Sequence, residues 1–321
     1  MPAVRRANTL THVRLALGMA TFGSATPISK IVTSAMPVFI GSGLRVALGA
    51  AVLAPFAASS FGQIRSLTGR DWCLVALIAV FGMFGFSVLM LFGMRMTSGV
   101  TGAVVMSTTP AVTAAGSMLL MGDQVTWRKV VAVALGVIGV VLLQLGPGGG
   151  EGGGTDVLGA ILVFAAVCCE AAYTLIGKVL ADRADPVLIA FLGAALSVPL
   201  FVPFAVWQWN LFRVQDVGLA QWAALAWYGA GTLALGSWLW YSGLAAAEGA
   251  VAAGFMGIMP ASALLLSYLL LGEPFHWSHL AGFAVVFCGV ALISWEHAMM
   301  SRHPRRAADP RDGTDAAGAG H

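Results

Sequence analysis

The sequence predicts an all-α integral membrane protein whose ten transmembrane helices form two inverted five-helix repeats. Three observations predict this class: the composition, the number of long apolar runs, and a similarity between the two halves of the chain. The 321 residues are 59% hydrophobic and 10% charged, with a mean hydropathy of +0.86. A soluble domain carries about 25% charged residues, so this chain cannot cover its surface with polar side chains and needs lipid as its main solvent.

Ten apolar runs are long enough to cross a bilayer, whose hydrocarbon core of about 30 Å requires about 20 residues of helix. The first run follows Arg5 and Arg6, but it is too long for a secretory signal and shows no clean cleavage site. It is therefore predicted to be a transmembrane helix like the other nine. The ten predicted helices span residues 15–34, 37–58, 72–94, 98–121, 128–146, 157–178, 186–207, 220–243, 248–271 and 278–297.

Lysine and arginine residues predict the orientation, because they are concentrated in the cytoplasmic loops of membrane proteins. If the N-terminus is cytoplasmic, Arg95, Arg213 and Lys30 fall outside, and Arg45 lies within the second helix. The other thirteen of the 17 lysines and arginines all fall inside. One helix more or fewer would destroy this alternation, so the charges predict ten helices with both termini in the cytoplasm.

The two halves of the sequence resemble each other when one is shifted by 150 residues, without a gap from residue 72 to about residue 142. Because five is an odd number of helices, the second copy must enter the membrane from the opposite side. Identical residues at equivalent positions include Trp72 and Trp222, Ser87 and Ser237, Gly93 and Gly243, Pro110 and Pro260, Gly122 and Gly272, and Trp127 and Trp277.

These patterns divide the chain into a first repeat at residues 1–146, a glycine-rich linker at 147–156, a second repeat at 157–297 and a disordered cytoplasmic tail at 298–321. Inverted repeats are related by a two-fold axis in the membrane plane, and transporters built this way bind substrate near the midplane where the copies meet. If the repeats exchange their conformations, an inward opening becomes an outward one. The architecture therefore favours a secondary transporter that works by alternating access.

Each half has a proline in its fourth helix, then a G-[DE]-x-x-x-W motif, then a fifth helix with spaced glycines. This arrangement resembles the drug/metabolite transporter superfamily, and more narrowly its EamA-type bacterial metabolite exporters. The similarity covers about residues 14–297; residues 271–274 read LGEP, whereas the first copy reads MGDQ at 121–124. The resemblance implies export of amino acids, related metabolites or drugs across the bacterial inner membrane. It also implies a central path lined by helices 1, 3, 4, 6, 8 and 9, and a possible homodimer through helices 5 and 10.

Two ionisable residues inside predicted helices are the strongest candidates for a substrate site. Glu170 lies near the middle of helix 6, where an acid is costly unless it is paired, hydrated or protonated. It could face a cavity and meet a substrate ammonium or take a proton; the alternative is a neutral acid hydrogen-bonded between helices. Arg45 in helix 2 could bind a substrate carboxylate or Glu170, or it could form a structural pair or extend toward the outer interface.

The other candidates are polar, aromatic or adaptable side chains in the predicted lining helices. Trp238 and Tyr241 fit an interfacial aromatic belt as well as a pocket. Pro110 and Pro260 break the backbone hydrogen bonding of helices 4 and 9, and the resulting kinks either bend during gating or are static. The residues predicted to line a pocket for an aliphatic or aromatic side chain are Tyr173, Ser87, Ser237, Trp238, Trp240, Tyr241, Met106 and Met256.

Charged residues at the helix ends have simpler interpretations. Asp123 and Glu273 occupy turns between consecutive helices, where each is expected to cap the N-terminus of the helix that follows; ion coupling is the alternative. Lys30 and Lys178 end helices 1 and 6, and each is expected to extend toward the membrane surface or to act in gating.

No cofactor, metal, disulfide or nucleic-acid partner is predicted. The net charge is only +3, and all four cysteines lie in apolar segments. His276 and His279 have i, i+3 spacing but no third metal ligand in view. No phosphate-binding loop appears, so transport is expected to be driven by a gradient. The competing functions are an intramembrane enzyme and a channel or scaffold; an enzyme would need clustered ionisable residues, and a channel a continuous polar stripe.

Overall fold

The computed structural model describes residues 9–122, 126–145, 154–181, 183–244, 246–247, 251 and 254–302. Every regular element in these ranges is a helix. Short 3-10 segments extend two of the connections, at Ala58–Ser66 and at Trp209–Leu211. The long helices are α1 Thr9–Thr33, α2 Val38–Ala57, α3 Gly69–Met96, α4 Gly99–Leu120, α5 Trp127–Leu145, α6 Gly154–Leu180, α7 Pro186–Gln208, α8 at residues 219–244, α9 Ile258–Leu271 and α10 Trp277–Arg302.

The all-helical membrane fold with ten helices is confirmed. Counted over the described residues, seven helices are long and apolar enough to cross a membrane, namely α1 to α4, α6, α7 and α10. The described part of α9 is a shorter apolar helix, because residues 248–250, 252 and 253 of the predicted span lie outside the described ranges. Helix α10 runs to Arg302, beyond its predicted end at residue 297.

Local sequence sets several helix ends. The Ser98 hydroxyl accepts a hydrogen bond from the Thr101 amide and caps α4, while the Asp185 carboxylate caps α7 in the same way. Both α4 and α9 are followed by a glycine in the left-handed conformation, Gly122 with φ of 69° and Gly272 with φ of 63°. Glycine adopts this conformation without steric cost. Since the two glycines are equivalent in the repeats, the same turn is built twice.

Two helical irregularities also occur once in each repeat. The third helix of each repeat contains a π-helical segment, Ile78–Gly85 in α3 and Trp227–Leu235 in α8. Such segments are rare and are frequently found at functional sites. A turn at residues 107–108 interrupts α4, and a turn at residues 256–257 precedes α9. The equivalent features begin 149 residues apart, which agrees with the spacing of the sequence repeat.

The two repeats interlock: helices of each repeat pack against helices of the other, and equivalent helices have equivalent partners. Helix α1 of the first repeat contacts α8 and α9 of the second, and the equivalent helix α6 contacts α3 and α4 of the first. Helix α2 packs against α7, and α5 packs against α10. This exchange of partners is what a two-fold relation between inverted repeats produces. It places α1, α3, α4, α6, α8 and α9 at the contact between the repeats, where the polar side chains described below also lie.

Candidate functional site

Arg45 of α2 is buried where the repeats meet, with 6% of its surface exposed. Its Nη1 atom donates a 2.6 Å hydrogen bond to the Ser87 hydroxyl, which follows the π segment of α3. Its guanidinium carbon lies 4.1 Å from the centre of the Tyr228 ring and 5.5 Å from that of Phe86. These are cation–π contacts inside the protein. Extension of Arg45 toward the outer interface, one of the sequence-based alternatives, is therefore wrong.

Arg45 and Tyr228, which are in contact, each leave one polar atom without a hydrogen bond. Within the described residues, neither Arg45 Nε nor the hydroxyl of the fully buried Tyr228 has a hydrogen-bond partner. Buried polar groups are normally paired, and leaving one unpaired costs about 1–3 kcal/mol. The π segment of α8 carries Tyr228, so this irregular helix helps to create the site. Two contacting residues that each keep an unpaired polar atom are candidates for binding a polar ligand.

Glu170 of α6 is half-buried and faces the interrupted helix α4. Its Oε2 atom lies 3.0 Å from the hydroxyl of Thr109, the residue that begins the second half of α4. Three residues further along α6, the Tyr173 hydroxyl lies 3.5 Å from the Tyr241 hydroxyl of α8. Residues three apart share a helix face, so the acid and the tyrosine pair point into the same region.

Arg45 and Glu170 thus belong to one polar cluster. Both parts meet at the π segment of α3: Ser87, which accepts from Arg45, lies just after it, and Tyr173, one turn from Glu170, packs against Gly82 within it. Although both side chains are described, no Arg45 nitrogen lies within 4.0 Å of a Glu170 oxygen. The guanidinium and the carboxylate therefore share a region without neutralising each other by direct contact. We call this set the Arg45–Glu170 cluster; it consists of Arg45, Ser87, Thr109, Glu170, Tyr173, Tyr228 and Tyr241.

The remaining pocket candidates are placed differently. Met106 packs its side chain into an apolar core with α3 and α6, and only its carbonyl oxygen contacts Thr109 of the cluster. Trp238 lies between Arg14 and Phe56, with the Arg14 guanidinium carbon 5.8 Å from its ring centre. Ser237 is buried in α8, and Met256 is exposed in the turn before α9. The described contacts do not join Ser237, Trp238 or Met256 to the Arg45–Glu170 cluster.

The two prolines stand next to the helix breaks. Pro110 is in the first turn of the second half of α4, just after the turn at residues 107–108. Pro260 is buried and is the third residue of α9, just after the turn at residues 256–257. A proline lacks the N–H group that would close the preceding helical turn. The position of each break is therefore explained by its proline.

At one membrane face, Glu273 fastens the second repeat to the first. Its Oε2 atom accepts a 2.8 Å hydrogen bond from the Val100 amide, and its Oε1 atom accepts one from the Gly99 amide. The carboxylate therefore caps the N-terminus of α4, where the positive end of the helix dipole favours an anion. The expectation that Glu273 caps the helix following it was wrong, because the free amides that it meets belong to the other repeat. Its equivalent, Asp123, lies outside the described residues.

A cavity of about 360 Å³ opens beside this contact. Lys30 donates a hydrogen bond to the Thr97 carbonyl, and its positive charge lines the same cavity as the carboxylates of Glu273 and Asp156. Asp156, at the start of α6, accepts a hydrogen bond from the Thr97 hydroxyl. Lys30 is thus bound to the α3–α4 turn instead of extending freely, whereas Lys178 is exposed. The cavity is lined by Lys30, Arg95, Met96, Thr97, Ser98, Asp156, Glu273, Pro274, His276 and His279.

A second cross-repeat contact lies at the opposite face, at the other end of α3. Arg183, in the α6–α7 connection, forms a 3.0 Å ion pair with Asp71. Asp71 also forms a capping box with Thr68 at the start of α3. Beside it, the Asp185 amide donates a 2.8 Å hydrogen bond to the Gln63 side chain. Polar contacts therefore join the two repeats at both ends of α3.

Comparison with known proteins identifies the family. The sequence profile of the EamA-like transporter family matches residues 10–145 and, a second time, residues 157–295. The chain belongs to the EamA-like transporter family. This EamA-like transporter is thus a multi-pass membrane transporter with two EamA domains, and it is not an enzyme.

Its relatives are transporters whose substrates their names do not state. The EamA-like transporter is 30% identical over 280 residues to the uncharacterized transporter YetK of Bacillus subtilis (strain 168), covering 87% of this chain and 85% of YetK. It is 26% identical to an uncharacterized transporter of Archaeoglobus fulgidus, over 87% of this chain and 96% of that one. A solved crystal structure, described only as that of a protein, aligns with a TM-score of 0.61 at 19% identity over 91% of this chain and 98% of the other. That likeness shows the shared fold.

Four residues of these sites are not predicted from the sequence. Thr109 and Tyr228 look like ordinary residues of apolar helices, and only the break in α4 and the π segment of α8 turn them toward the cluster. A threonine directly before a helix-breaking proline was the one local signal for Thr109. Asp71 and Arg183 are 112 residues apart, so their pairing leaves no local pattern.

Proposed function

We propose that this transporter is a secondary carrier that exports amino acids or related small metabolites from the cytoplasm by alternating access. The observation that carries the proposal is the pair Arg45 and Glu170. They come from opposite repeats, lie in one polar cluster and are not bound to each other. A carrier with two inverted repeats is expected to bind its substrate where the repeats meet.

The chemistry of the cluster fits a substrate that carries both charges. An α-amino acid has an ammonium group that can donate to the Glu170 carboxylate. It also has a carboxylate that can accept from Arg45 Nε and from the Tyr228 hydroxyl, the two orphaned donors. Binding would satisfy groups that otherwise pay a burial cost. The Tyr173–Tyr241 pair lies on the same side of α6 and is proposed to contact the remainder of the substrate.

The cross-repeat contacts at the two faces supply the gating step of the proposal. Opening one face requires Glu273 to leave the amides of Gly99 and Val100; opening the other requires Arg183 to leave Asp71. The breaks beside Pro110 and Pro260 are the places where the fourth helices can bend. If only one face opens at a time, the Arg45–Glu170 cluster is exposed alternately to each compartment.

Orientation and location are part of the same proposal. The lysine and arginine distribution supports cytoplasmic termini and, with the family resemblance, the bacterial inner membrane. Tags at residues 1 and 321 should react with an impermeant reagent only after the membrane is opened; reaction of either tag in intact cells would contradict this orientation.

Apolar outer faces on α5 and α10 fit lipid as the main partner. Val137, Val141 and Phe287 are all exposed there. A second copy of the chain bound at this surface would cover the same residues, and a homodimer through α5 and α10 stays a prediction.

Counterflow in liposomes tests the carrier directly. Purified protein is reconstituted in liposomes loaded with single unlabelled amino acids, and uptake of a trace of the same labelled compound is followed. We expect saturable uptake for one chemical group of amino acids. It should be lost in Arg45→Gln and Glu170→Gln but retained in Lys178→Gln, a control that removes an exposed charge from α6.

The analogue that lacks the carboxylate provides a second test. The corresponding primary amine should compete at least tenfold less well than the amino acid with the wild-type protein, since one charge-assisted hydrogen bond of about 1.5–3 kcal/mol is lost. This preference should disappear in Arg45→Gln. Uptake that never saturates, with no exchange, would indicate a channel and would refute the carrier.

A further inference from the structure

The interruption of α4 leaves one carbonyl without its usual donor. In a continuous helix, the Met106 carbonyl would accept from the N–H of the residue four positions later. That residue is Pro110, which has no N–H. The Thr109 hydroxyl takes over this role at 2.7 Å from the Met106 oxygen. The hydroxyl therefore bridges the break between the two halves of α4.

The same hydroxyl oxygen also lies 3.0 Å from Glu170 Oε2. A threonine hydroxyl has one hydrogen to donate and can accept in addition. The Met106 carbonyl can only accept, and an ionised Glu170 can only accept. The single Thr109 hydroxyl hydrogen can therefore make a full hydrogen bond to only one of these two oxygens. A protonated Glu170 removes the competition, because it donates a hydrogen itself.

From this geometry we infer that Glu170 is a proton-coupling site whose protonation state controls the break in α4 through Thr109. When Glu170 is ionised, the Thr109 hydroxyl donates to its carboxylate and releases the Met106 carbonyl. When a proton binds Glu170, the acid O–H donates to the Thr109 oxygen, and the Thr109 hydrogen returns to the Met106 carbonyl. When Glu170 gains one proton, the hydrogen bond from Thr109 to the Met106 carbonyl forms; when Glu170 loses the proton, that bond is released.

Among the charged and titratable groups in this region, Glu170 is the one that we expect to change its protonation state. The charged and titratable side chains of this region are Arg45 of α2, which contacts Tyr228 of α8, and Tyr173 of α6, which lies beside Tyr241 of α8. On its own helix, Glu170 also directly follows Cys168 and Cys169. Helices α3, α4 and α7 pack against α6. Helices α4 and α7 contain no titratable side chain, and those of α3 lie in its end turns, at Arg70, Asp71, Cys73 and Arg95.

The device is present in one repeat alone. In α9 the equivalent proline, Pro260, removes the donor of the Met256 carbonyl in the same way. The residue equivalent to Thr109 is Met259, which has no hydroxyl. A proton switch of this kind therefore belongs to α4 and α6, and the two fourth helices are expected to respond differently to pH.

This inference rests on the proposed function and adds the coupling ion to it. A substrate ammonium and a proton would compete for the same carboxylate, so each leaves when the other binds. Entry of a proton would then drive exit of the substrate, which makes the carrier a proton–substrate exchanger.

The test uses the full chain in lipid nanodiscs without substrate. Infrared difference spectra between low and high pH report the carbonyl band of a protonated carboxylic acid. Hydrogen exchange of the backbone at residues 103–112, normalised to the rate of an unstructured peptide, reports the break in α4. The variants are Glu170→Gln, Thr109→Val and Thr109→Ser.

In the wild type, raising the pH should remove an acid band and speed normalised exchange at 103–112 about fivefold, the effect of one hydrogen bond of about 1 kcal/mol. Thr109→Ser keeps the hydroxyl and should show the same pH effect as the wild type. This result would also show that the site tolerates substitution. Thr109→Val should lose the pH effect. Glu170→Gln should lose the acid band and stay in the slowly exchanging form, because its amide N–H mimics the protonated acid.

Two results would overturn the switch: exchange at 103–112 that does not change with pH in the wild type, or an acid band that persists unchanged in Glu170→Gln. Because no substrate is present, either result would leave the carrier proposal standing. Conversely, a protein with the pH-dependent exchange at 103–112 but no counterflow of any amino acid would refute the proposed carrier and support the switch.

Discussion

Replacement of Glu273 by alanine should open one face of the protein between the repeats by removing a contact that joins them. The carboxylate accepts two backbone hydrogen bonds from the N-terminus of α4, at Gly99 and Val100. Alanine removes both acceptors and the negative charge that faces the helix dipole. Glutamine keeps one acceptor oxygen but loses the charge, so Glu273→Gln is the matched intermediate.

The magnitude follows from the two hydrogen bonds and their exposure. A hydrogen bond to a charged group contributes about 1.5–3 kcal/mol when it is buried. Glu273 is only half-buried, so water can replace part of each bond, and we take about 1 kcal/mol for each. Loss of both is about 2 kcal/mol, or roughly a 30-fold shift toward the open face. Loss of one, in Glu273→Gln, is roughly fivefold.

A buried cysteine can report this shift. Val100 is fully buried and packs against Ala263 and Leu264 of α9, so the thiol of Val100→Cys becomes accessible only when α4 and α9 separate. In a background without the four native cysteines, the rate of maleimide labelling then measures the open population. We expect labelling in nanodiscs to be roughly 30-fold faster with Glu273→Ala and fivefold faster with Glu273→Gln. Equal rates in all three proteins would refute the view that Glu273 holds this face closed.

The remaining predictions concern transport, packing and the opposite face. Glu170→Gln should reduce counterflow at least tenfold while the amount of folded protein in the membrane changes less than twofold; normal counterflow would remove the assignment. Gly139→Ala should lower the melting temperature, because its Cβ would lie 2.4 Å from Val286 of α10, and overpacking costs about 1–3 kcal/mol. Gly136→Ala on the same helix has its nearest neighbours at 3.6 Å and should leave the melting temperature unchanged. Arg183→Gln should lower the melting temperature less than Asp71→Ala, because Asp71 also completes the capping box at α3; an equal loss would contradict this order.

Much of the fold could be predicted because membrane spans depend on local composition. Apolar runs and loop charges indicate ten helices without any knowledge of their packing. The 150-residue repeat then predicts how the halves are related. Pro110 and Pro260 mark the breaks in the fourth helices because the missing N–H is a property of the residue itself. The sequence does not predict the π segments at Ile78–Gly85 and Trp227–Leu235, because packing decides whether a helical turn takes up an extra residue.

The site was only partly predictable because its contacts cross between the repeats. Arg45 and Glu170 stand out in the sequence as charges within apolar helices. Their partners do not: Tyr228 meets Arg45 only because α8 packs against α2, and Thr109 meets Glu170 only because α4 is broken. The sequence predicts Glu273 as a capping residue, but for the helix that follows it and not for α4. A capping carboxylate takes whichever free amides tertiary packing presents, and here they lie 173 and 174 residues away.

The mechanism depends on the two repeats having opposite orientations in the membrane, and one pair of residues measures this directly. Trp127 and Trp277 begin the fifth helix of each repeat at equivalent positions, and 67% and 76% of their surfaces are exposed. Each is replaced by cysteine in the cysteine-free protein, and intact cells are treated with an impermeant maleimide. If the repeats are inverted, Trp277→Cys reacts from outside and Trp127→Cys reacts only after permeabilisation. Reaction of both from the same side would contradict the inversion.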